Sequence, residues 1–425
     1  MDSGKSLADD CFALPPGVDW TPVDVALARL REGMAIAAGV ETVPAASALG
    51  RILAAPVLAT RANPPMANAA VDGYGLAHAS LADDGAGNLE LLAGRAAAGA
   101  PFNGAVPAGA ALRILTGALV SDGVDSIVMQ EDVTLTGGRI HFKPGLKPGA
   151  NVRRAGEDVA AGAEVLPAGR RLRAPDLALI AAVGVARLQV FKTLRVGVLS
   201  SGDELCTPGA PVAPHQTYDA NRPMLLAMAQ AFGHEAIDLG HVGDDPAALK
   251  TALNGAAARC DAILTSGGAS AGDEDHLSAV ISAHGSLQTW RVAMKPGRPL
   301  ALGLWPAVQG RNVPVFGLPG NPVAACICAL VMARPALSVL AGAGWLEPAG
   351  QMLPAAFAKT KKAGRREYLR ARLNADGTVA AYHSEGSGRI SGLAWADGLV
   401  ELPDAAGTVT PGDLVRYISF AAFGL

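Results

Sequence analysis

The stretch Arg195-Val-Gly-Val-Leu-Ser-Ser-Gly-Asp-Glu204 decides how this chain is read. Five residues suited to a buried strand empty into a loop of small residues and carboxylates, the signature of a strand that ends at a ligand edge. Working outward, the same pattern repeats. Pro223 stands near the first turn of an expected helix with Met224, Met228 and Phe232 on one face, stopped by Gly233. Ala236–Leu239 reads as a strand, and Pro246 opens a helix carrying Leu249 and Leu253. Ala262–Thr265 runs into Ser266-Gly-Gly-Ala-Ser-Ala-Gly272, ahead of a helix with Leu277, Val280 and Ile281. Val313–Phe316 enters Gly317-Leu-Pro-Gly-Asn-Pro322, where Asn321 can cap and Pro322 can start a helix. Alternating strands and helices predict a parallel, doubly wound α/β sheet.

The flanks differ. An amphipathic helix is expected from Pro22 through Ile36, and a second helical stretch at Ala45–Leu53. Leu89–Leu92, Leu112–Leu115, Ser126–Met129 and Arg139–Phe142 alternate with Gly, Pro and Asp and read as a β-rich unit. A short helix is expected from Pro175 to Val183, and short strands from 351 to 425, fitting a small β-barrel.

At 425 residues the chain has room for about three domains. With 35 basic against 38 acidic residues, a chain-wide nucleic-acid surface is not expected. The 5 cysteines are scattered and odd in number, which supports neither a disulfide framework nor a zinc site and fits a cytoplasmic protein. The start is polar and lacks an apolar signal core, and Gly4-Lys5-Ser6 lacks the rest of a phosphate loop. The longest apolar run, Val323–Ala333, is far short of the ~20 residues that span a bilayer, so no membrane association is expected.

The 51 glycines gather where strands end. Ser200–Glu204, Ser266–Gly272 and Gly317–Pro322 leave one sheet edge in principle, and glycine lets backbone N–H groups approach an anion. For one such loop a tight turn is the ordinary reading; three on one edge favour a ligand. Asp203, Glu204, Asp219, Asp244, Asp245, Asp273 and Asp275 lie at expected strand ends or helix starts. Singly each is an ordinary cap, but together they suit Mg²⁺ bridged to substrate phosphates. Lys295-Pro-Gly-Arg-Pro299 is a stiffened loop with two cations, read as an anion clamp. Cys326 and Cys328 read as core. On these residues alone the chain is a multidomain α/β enzyme for a phosphorylated anion.

The order of motifs resembles the molybdopterin molybdenumtransferases, the MoeA-like proteins related to the C-terminal part of gephyrin. The matching pieces are Ala69-Ala-Val-Asp-Gly-Tyr74, Arg113-Ile-Leu-Thr-Gly-Ala118 with Val128-Met-Gln-Glu131, and Val152-Arg-Arg-Ala-Gly-Glu-Asp158. Then come Val196–Leu205, Tyr218-Asp-Ala-Asn221, Ser266–Gly272, Lys295–Pro299, Gly317–Pro322 and Gly386-Ser-Gly388. The resemblance implies an elongated domain (18–59 and 153–193) interrupted by a β-rich one (60–152), then a molybdopterin-binding-like α/β domain (194–341) and a β-barrel (342–425). It implies a homodimer whose cleft lies between subunits, and insertion of molybdenum from molybdate into adenylylated molybdopterin with release of AMP. Substrate handover from a molybdopterin adenylyltransferase is a further implied partnership.

The resemblance assigns catalytic roles to Asp72, Thr116, Glu204, Asp244, Asp275, Lys295 and Arg298, with Glu204, Asp244 and Asp275 holding Mg²⁺. Substrate contacts fall to Ser200, Gly202, Asp203, Ser266, Gly267, Gly268, Ser270, Pro319, Gly320, Asn321, Pro322, Arg365 and Ser387. The competing readings are a molybdopterin adenylyltransferase, whose usual Gly-Gly-Thr-Gly loop Ser266-Gly-Gly-Ala269 departs from, and a catalytically silent dimeric scaffold.

Overall fold

The computed structural model describes residues 20–82, 85–267, 276–297, 299–307 and 310–425. They fall into two compact units, one of residues up to Glu41 with Phe191–Leu425, the other Thr42–Val190.

The first unit is built on a six-stranded sheet. Its order is Glu235–Val242, Arg195–Ser201, Ala262–Ser266, Asn312–Leu318, Pro299–Pro306 and Ser286–Arg291. The first four strands are parallel, as expected from the strand–helix alternation. The last two run antiparallel, so the sheet is mixed rather than wholly parallel. Periodicity misses the inner one because Pro299 and Pro306 bound it; proline is tolerated at a strand's first residue, where it interrupts no ladder bond.

The helix Asn221–Ala231 buries Asn221, Leu225, Met228 and Ala229, so Leu225 rather than Met224 faces the core. The helix Pro246–Arg259 is capped by Asp245, whose carboxylate accepts from the backbone N–H groups of Ala247 and Ala248, each at 3.1 Å. Its Leu249 and Leu253 join Leu199, Ile263, Ile281, Val315 and the fully enclosed Trp305 in one core. Asn321 occupies the N-cap position ahead of Pro322, but its side chain makes no cap hydrogen bond. The helix that follows runs from Pro322 to Leu340, longer than the uninterrupted apolar run. Its 19 residues are apolar enough to cross a membrane, yet 83% of the apolar window is buried, as in a central core helix. Pro335 cannot bond the carbonyl of Val331, and the preceding Ala329–Ala333 is wound as a π turn. Burial pushes the Cys326 and Cys328 thiols in this helix up to about 12, which confirms them as inert core.

A second sheet of this unit runs Met294–Lys295, Arg366–Leu373, Gly398–Leu402, Leu414–Ser419 and Gln351–Pro354, with Val379–Ala381 beside Arg366–Leu373. It is a curled half-barrel, and its first strand is borrowed from the α/β segment: Lys295 pairs with Glu367.

The second unit holds another six-stranded sheet, ordered Ser126–Met129, Gly73–Leu76, Ala110–Ile114, Gly87–Ala96, Arg139–Phe142 and Thr134–Thr136. Its cores, around Leu112 and Ile127 on one face and Leu76 and Ile140 on the other, are separate from a third one. That third core joins Leu53 and Val57 to Leu172, Ile180 and Val190 across the intervening sequence. The expected helix at 45–53 reduces to one 3-10 turn, Ala45–Ser47. Ile52 and Leu53 instead make β-bridges to Arg171 and Val190, so long-range pairing overrides the local alanine-rich preference. The helix Ala174–Ala182 forms as expected, with Asp176 accepting from the Arg173 N–H at 2.9 Å.

Candidate active site

Three strand ends are in register at the carboxyl edge of the mixed sheet: Ser200 pairs with Ser266, and Ser266 with Leu318. The loops that follow therefore leave one edge, as the glycine distribution predicts. They are also tied together. The Gly267 N–H donates to the Leu318 carbonyl at 3.3 Å, and the Gly202 N–H to the Val242 carbonyl at 3.2 Å. Gly267 has a φ of 96°, and a Cβ there would stand 2.4 Å from the Ser201 carbonyl oxygen, so only glycine fits this close approach.

Asn221 is the residue that sequence reasoning underrated. It is buried, and its Nδ2 donates to Ser266 Oγ and to the Gly320 carbonyl, both at 2.6 Å. A carbonyl only accepts, so the atom facing Gly320 is the nitrogen. The side chain thus links two of the three loops from the start of the helix Asn221–Ala231. Its signal was present in Tyr218-Asp-Ala-Asn221, read as family likeness rather than as a site. His241 was also missed: its Nε2 lies 2.6 Å from the Gly202 carbonyl and supports the loop from the next strand.

The carboxylates divide into caps and candidates. Asp245 is the helix cap already described, and Asp219 accepts from the Arg222 N–H at 3.1 Å and Nε at 3.0 Å. Asp203 and Asp244 lock their loops reciprocally: Asp203 N–H donates to Asp244 Oδ2 at 3.1 Å, and Asp244 N–H to Asp203 Oδ1 at 3.0 Å. Glu204 is exposed and folds against Gly202, where a Cβ would come 2.3 Å from its Oε2. Among the described residues no group of three His, Cys, Asp or Glu side chains converges as a metal cluster. Gly268, Ser270, Asp273, Asp275 and Arg298 lie outside the described residues.

Lys295 differs most from its expected setting. The free anion clamp anticipated from the sequence is an ion-pair cluster with the half-barrel. Lys295 Nζ lies 2.5 Å from Glu385 Oε2 and 3.5 Å from Glu367 Oε1. Lys359 Nζ pairs with Glu367 Oε2 at 3.0 Å and closely with Glu385 Oε1. Burial works against the Lys359 charge, but its two carboxylate partners outweigh that and raise its pKa. Burial likewise opposes ionisation of Glu385, and Lys295 and Lys359 overcome it, leaving the carboxyl below its ordinary range.

Of the other expected contacts, Pro319 is buried, Gly320 and Asn321 are exposed, and Pro322 is half-buried. The Ser387 carbonyl accepts from the Val323 N–H at 3.1 Å, which brings the Gly386–Gly388 loop against the Gly317–Pro322 loop. Arg365 stacks its guanidinium 5.8 Å from the Trp20 ring.

In the second unit, Asp72 and Thr116 meet across 44 residues of sequence. Asp72 Oδ1 accepts from the Thr116 N–H at 2.8 Å and Oγ1 at 2.7 Å, and these bonds hold its carboxyl below the usual range. Their strands are neighbours, with Gly73 opposite Ile114. A Cβ at Gly73 would meet the Val128 carbonyl at 2.0 Å, so the strand next to Asp72 also needs glycine. Arg113 donates to the Gly73 carbonyl at 3.1 Å and lies over the Tyr74 ring.

The described residues thus combine a mixed α/β sheet with a glycine- and carboxylate-lined edge, a half-barrel and a separate β-rich sheet. The matching family models are the MoeA N-terminal region (domain I and II) over residues 21–184, a probable molybdopterin binding domain over 197–339, and the MoeA C-terminal region (domain IV) over 353–420. The molybdopterin molybdenumtransferase of Haemophilus influenzae is 34% identical over 405 residues, 94% of this chain and 98% of that one. That of Nostoc is 33% identical over 368 residues, covering 84% and 83%. A crystal structure of the MoeA molybdopterin biosynthesis protein from Pyrococcus horikoshii superposes with a TM-score of 0.78 at 29% identity, covering 95% of this chain and 99% of that one. The chain belongs to the molybdopterin molybdenumtransferase family.

Proposed function

We propose that the chain inserts molybdenum from molybdate into adenylylated molybdopterin, releasing AMP and molybdenum cofactor. The observation that carries this reading is the carboxyl edge of the mixed sheet. There, bare-backbone loops tied by Asn221 stand beside the carboxylates of Asp203, Glu204 and Asp244. The relatives' names support the same reaction.

Each part of the edge suits one part of the substrate. The loop Pro319–Pro322, whose Gly320 and Asn321 are exposed, would receive the pterin, with Gly267 and Ser266 beside it. Lys295 would attract an oxyanion, with Arg298 as its partner in the sequence motif; charge-assisted hydrogen bonds are the strong ones for phosphate and molybdate alike. Arg365 and Ser387 would complete that pocket. Mg²⁺ fits the donor set. The groups are hard oxygens, and Ser200 Oγ and Asn221 Oδ1 are buried at this edge without a partner among the described residues. Glu204 and Asp244, with Asp275, would hold the ion, which when bound would offset the charge of the phosphate oxygens.

The Asp72–Thr116 pair would close the cleft from the second subunit of a homodimer. The separate cores of the second unit support an inserted domain (60–152) within an elongated one (18–59 and 153–193), followed by an α/β domain (194–341) and a barrel (342–425). A cytoplasmic location, and delivery of substrate by the preceding adenylyltransferase, accompany this reading.

Purified protein supplied with adenylylated molybdopterin, Mg²⁺ and molybdate should form AMP and active cofactor together. Adenylylation of free molybdopterin from ATP would replace this reading with the sister activity, and binding without turnover would make the chain a scaffold. E204Q and Asp275→Asn should lose turnover and keep the fold; wild-type rates would remove both from the metal site.

A further inference from the structure

We infer that Glu385 is a built-in competitor for the oxyanion at Lys295. Its carboxylate occupies the place between Lys295 and Lys359 that an anionic substrate must take, and its side chain swings out when that substrate binds. The inference rests on the reading of Lys295 as an oxyanion residue.

Four charged side chains make the cluster, and they sum to zero. Glu385 bridges the two lysines, one carboxylate oxygen to each. Glu367 bridges the same pair from behind, at 3.5 Å from Lys295 and 3.0 Å from Lys359. Among the described residues, these four groups between themselves leave an incoming tetrahedral dianion no excess positive charge.

The two carboxylates are not equivalent. Glu367 lies on a central strand of the half-barrel with its side chain 8% exposed, paired in register with Lys295. Its enclosed side chain has far less room to rotate than that of Glu385. The Glu385 side chain is 45% exposed and stands on the loop Ser384–Gly388. It can rotate into water, where a carboxylate is well solvated. Its departure would leave Lys295 and Lys359 facing Glu367 alone of the other three, a net positive site with both ammonium groups still held by Glu367.

The loop itself need not move. Arg370, 4% exposed, donates to the carbonyls of Arg389 at 2.6 Å and of Gly386 at 3.3 Å, and closely to that of Ser384. The loop also receives the Val323 N–H at Ser387. The main chain on both sides of Glu385 is thereby fixed, so the exchange of carboxylate for oxyanion is a side-chain rotation. Such a competitor weakens binding of any stray anion and reserves the site for one that makes further contacts, a device of specificity by difference.

The test is equilibrium binding of molybdate alone to the full chain, by titration calorimetry, for wild type, E385Q, K295A and K359A. Glutamine keeps the shape of Glu385 and removes the competing charge. E385Q should bind molybdate about tenfold more tightly, the order of one charge-assisted hydrogen-bond partner released. K295A should lose binding. If K295A binds as wild type, Lys295 is not an oxyanion residue and the underlying reading fails. If K295A loses binding but E385Q binds equally or more weakly than wild type, the reading of Lys295 stands and the competitor role of Glu385 is refuted. Tighter binding is a gain that damage to the fold would not produce, and K359A should fall between wild type and K295A.

Discussion

Replacing Asn221 by alanine removes the two 2.6 Å hydrogen bonds that join Ser266 and Gly320. The hydroxyl partner sits where water has little access, with Asn221 6% and Ser266 2% exposed, whereas Gly320 is exposed. Stranding the buried Ser266 hydroxyl costs about 1–3 kcal/mol, whereas the exposed Gly320 carbonyl can turn to water. The loss is offset in part because Asn221 Oδ1 already lacks a partner among the described residues, and the variant removes that orphan. The net expectation is about 1–2 kcal/mol, which lowers the midpoint of the α/β transition by about 2–8 °C. N221D should be at least as damaging, because its carboxylate has no hydrogen to offer the Gly320 carbonyl. Scanning calorimetry and urea unfolding on the three proteins measure this directly. Because the amide also sets the Gly317–Pro322 loop, the KM for adenylylated molybdopterin should rise at temperatures where N221A remains folded. Stability within about 0.5 kcal/mol of wild type would refute the reasoning.

Asp176 offers a pH test in the second unit. Hydrogen bonds from Arg170, against the cost of burial, lower its carboxyl to about 2. A depressed folded pKa means that its stabilisation is fully present above the unfolded value of 3.8 and is lost as pH falls towards 2. D176N should therefore be less stable than wild type at pH 6, by about 1–3 kcal/mol, and the difference should shrink below pH 4 in urea unfolding. The same sign holds for Asp72, whose carboxyl is lowered by the backbone and side-chain hydrogen bonds from Thr116. T116V should raise its pKa, read by NMR titration, with the fold unchanged. G267A, which would drive a Cβ to 2.4 Å from the Ser201 carbonyl, should cost about 1–3 kcal/mol and weaken substrate binding more than a surface change of equal stability.

The parallel core was legible because apolar strands, the Asp245 cap and helix-opening prolines agree from Arg195 to Thr265 and again from Val313 to Pro322. Asp245 capping a helix was readable from type and spacing; Asp72 and Thr116 were singled out by family likeness, while their contact with each other emerges only in the structure. What escaped depends on partners distant in sequence. The strands Ser286–Arg291 and Pro299–Pro306 pair with each other, and the second with Asn312–Leu318, while the prolines that bound the second obscure its reading. The 45–53 segment has a helical composition that bridges to Arg171 and Val190 override. Lys295 was legible as a cation, but its pairing depends on Glu367 and Glu385, many residues away on the half-barrel. Neither periodicity nor a local motif reports charge compensation of that kind.

The central claim is tested most directly by single-turnover AMP release from adenylylated molybdopterin with Mg²⁺, with and without molybdate. The account predicts that AMP appears only with molybdate, in step with active cofactor, and that K295A abolishes both. AMP release at the same rate without molybdate, or cofactor formed without AMP, would contradict it.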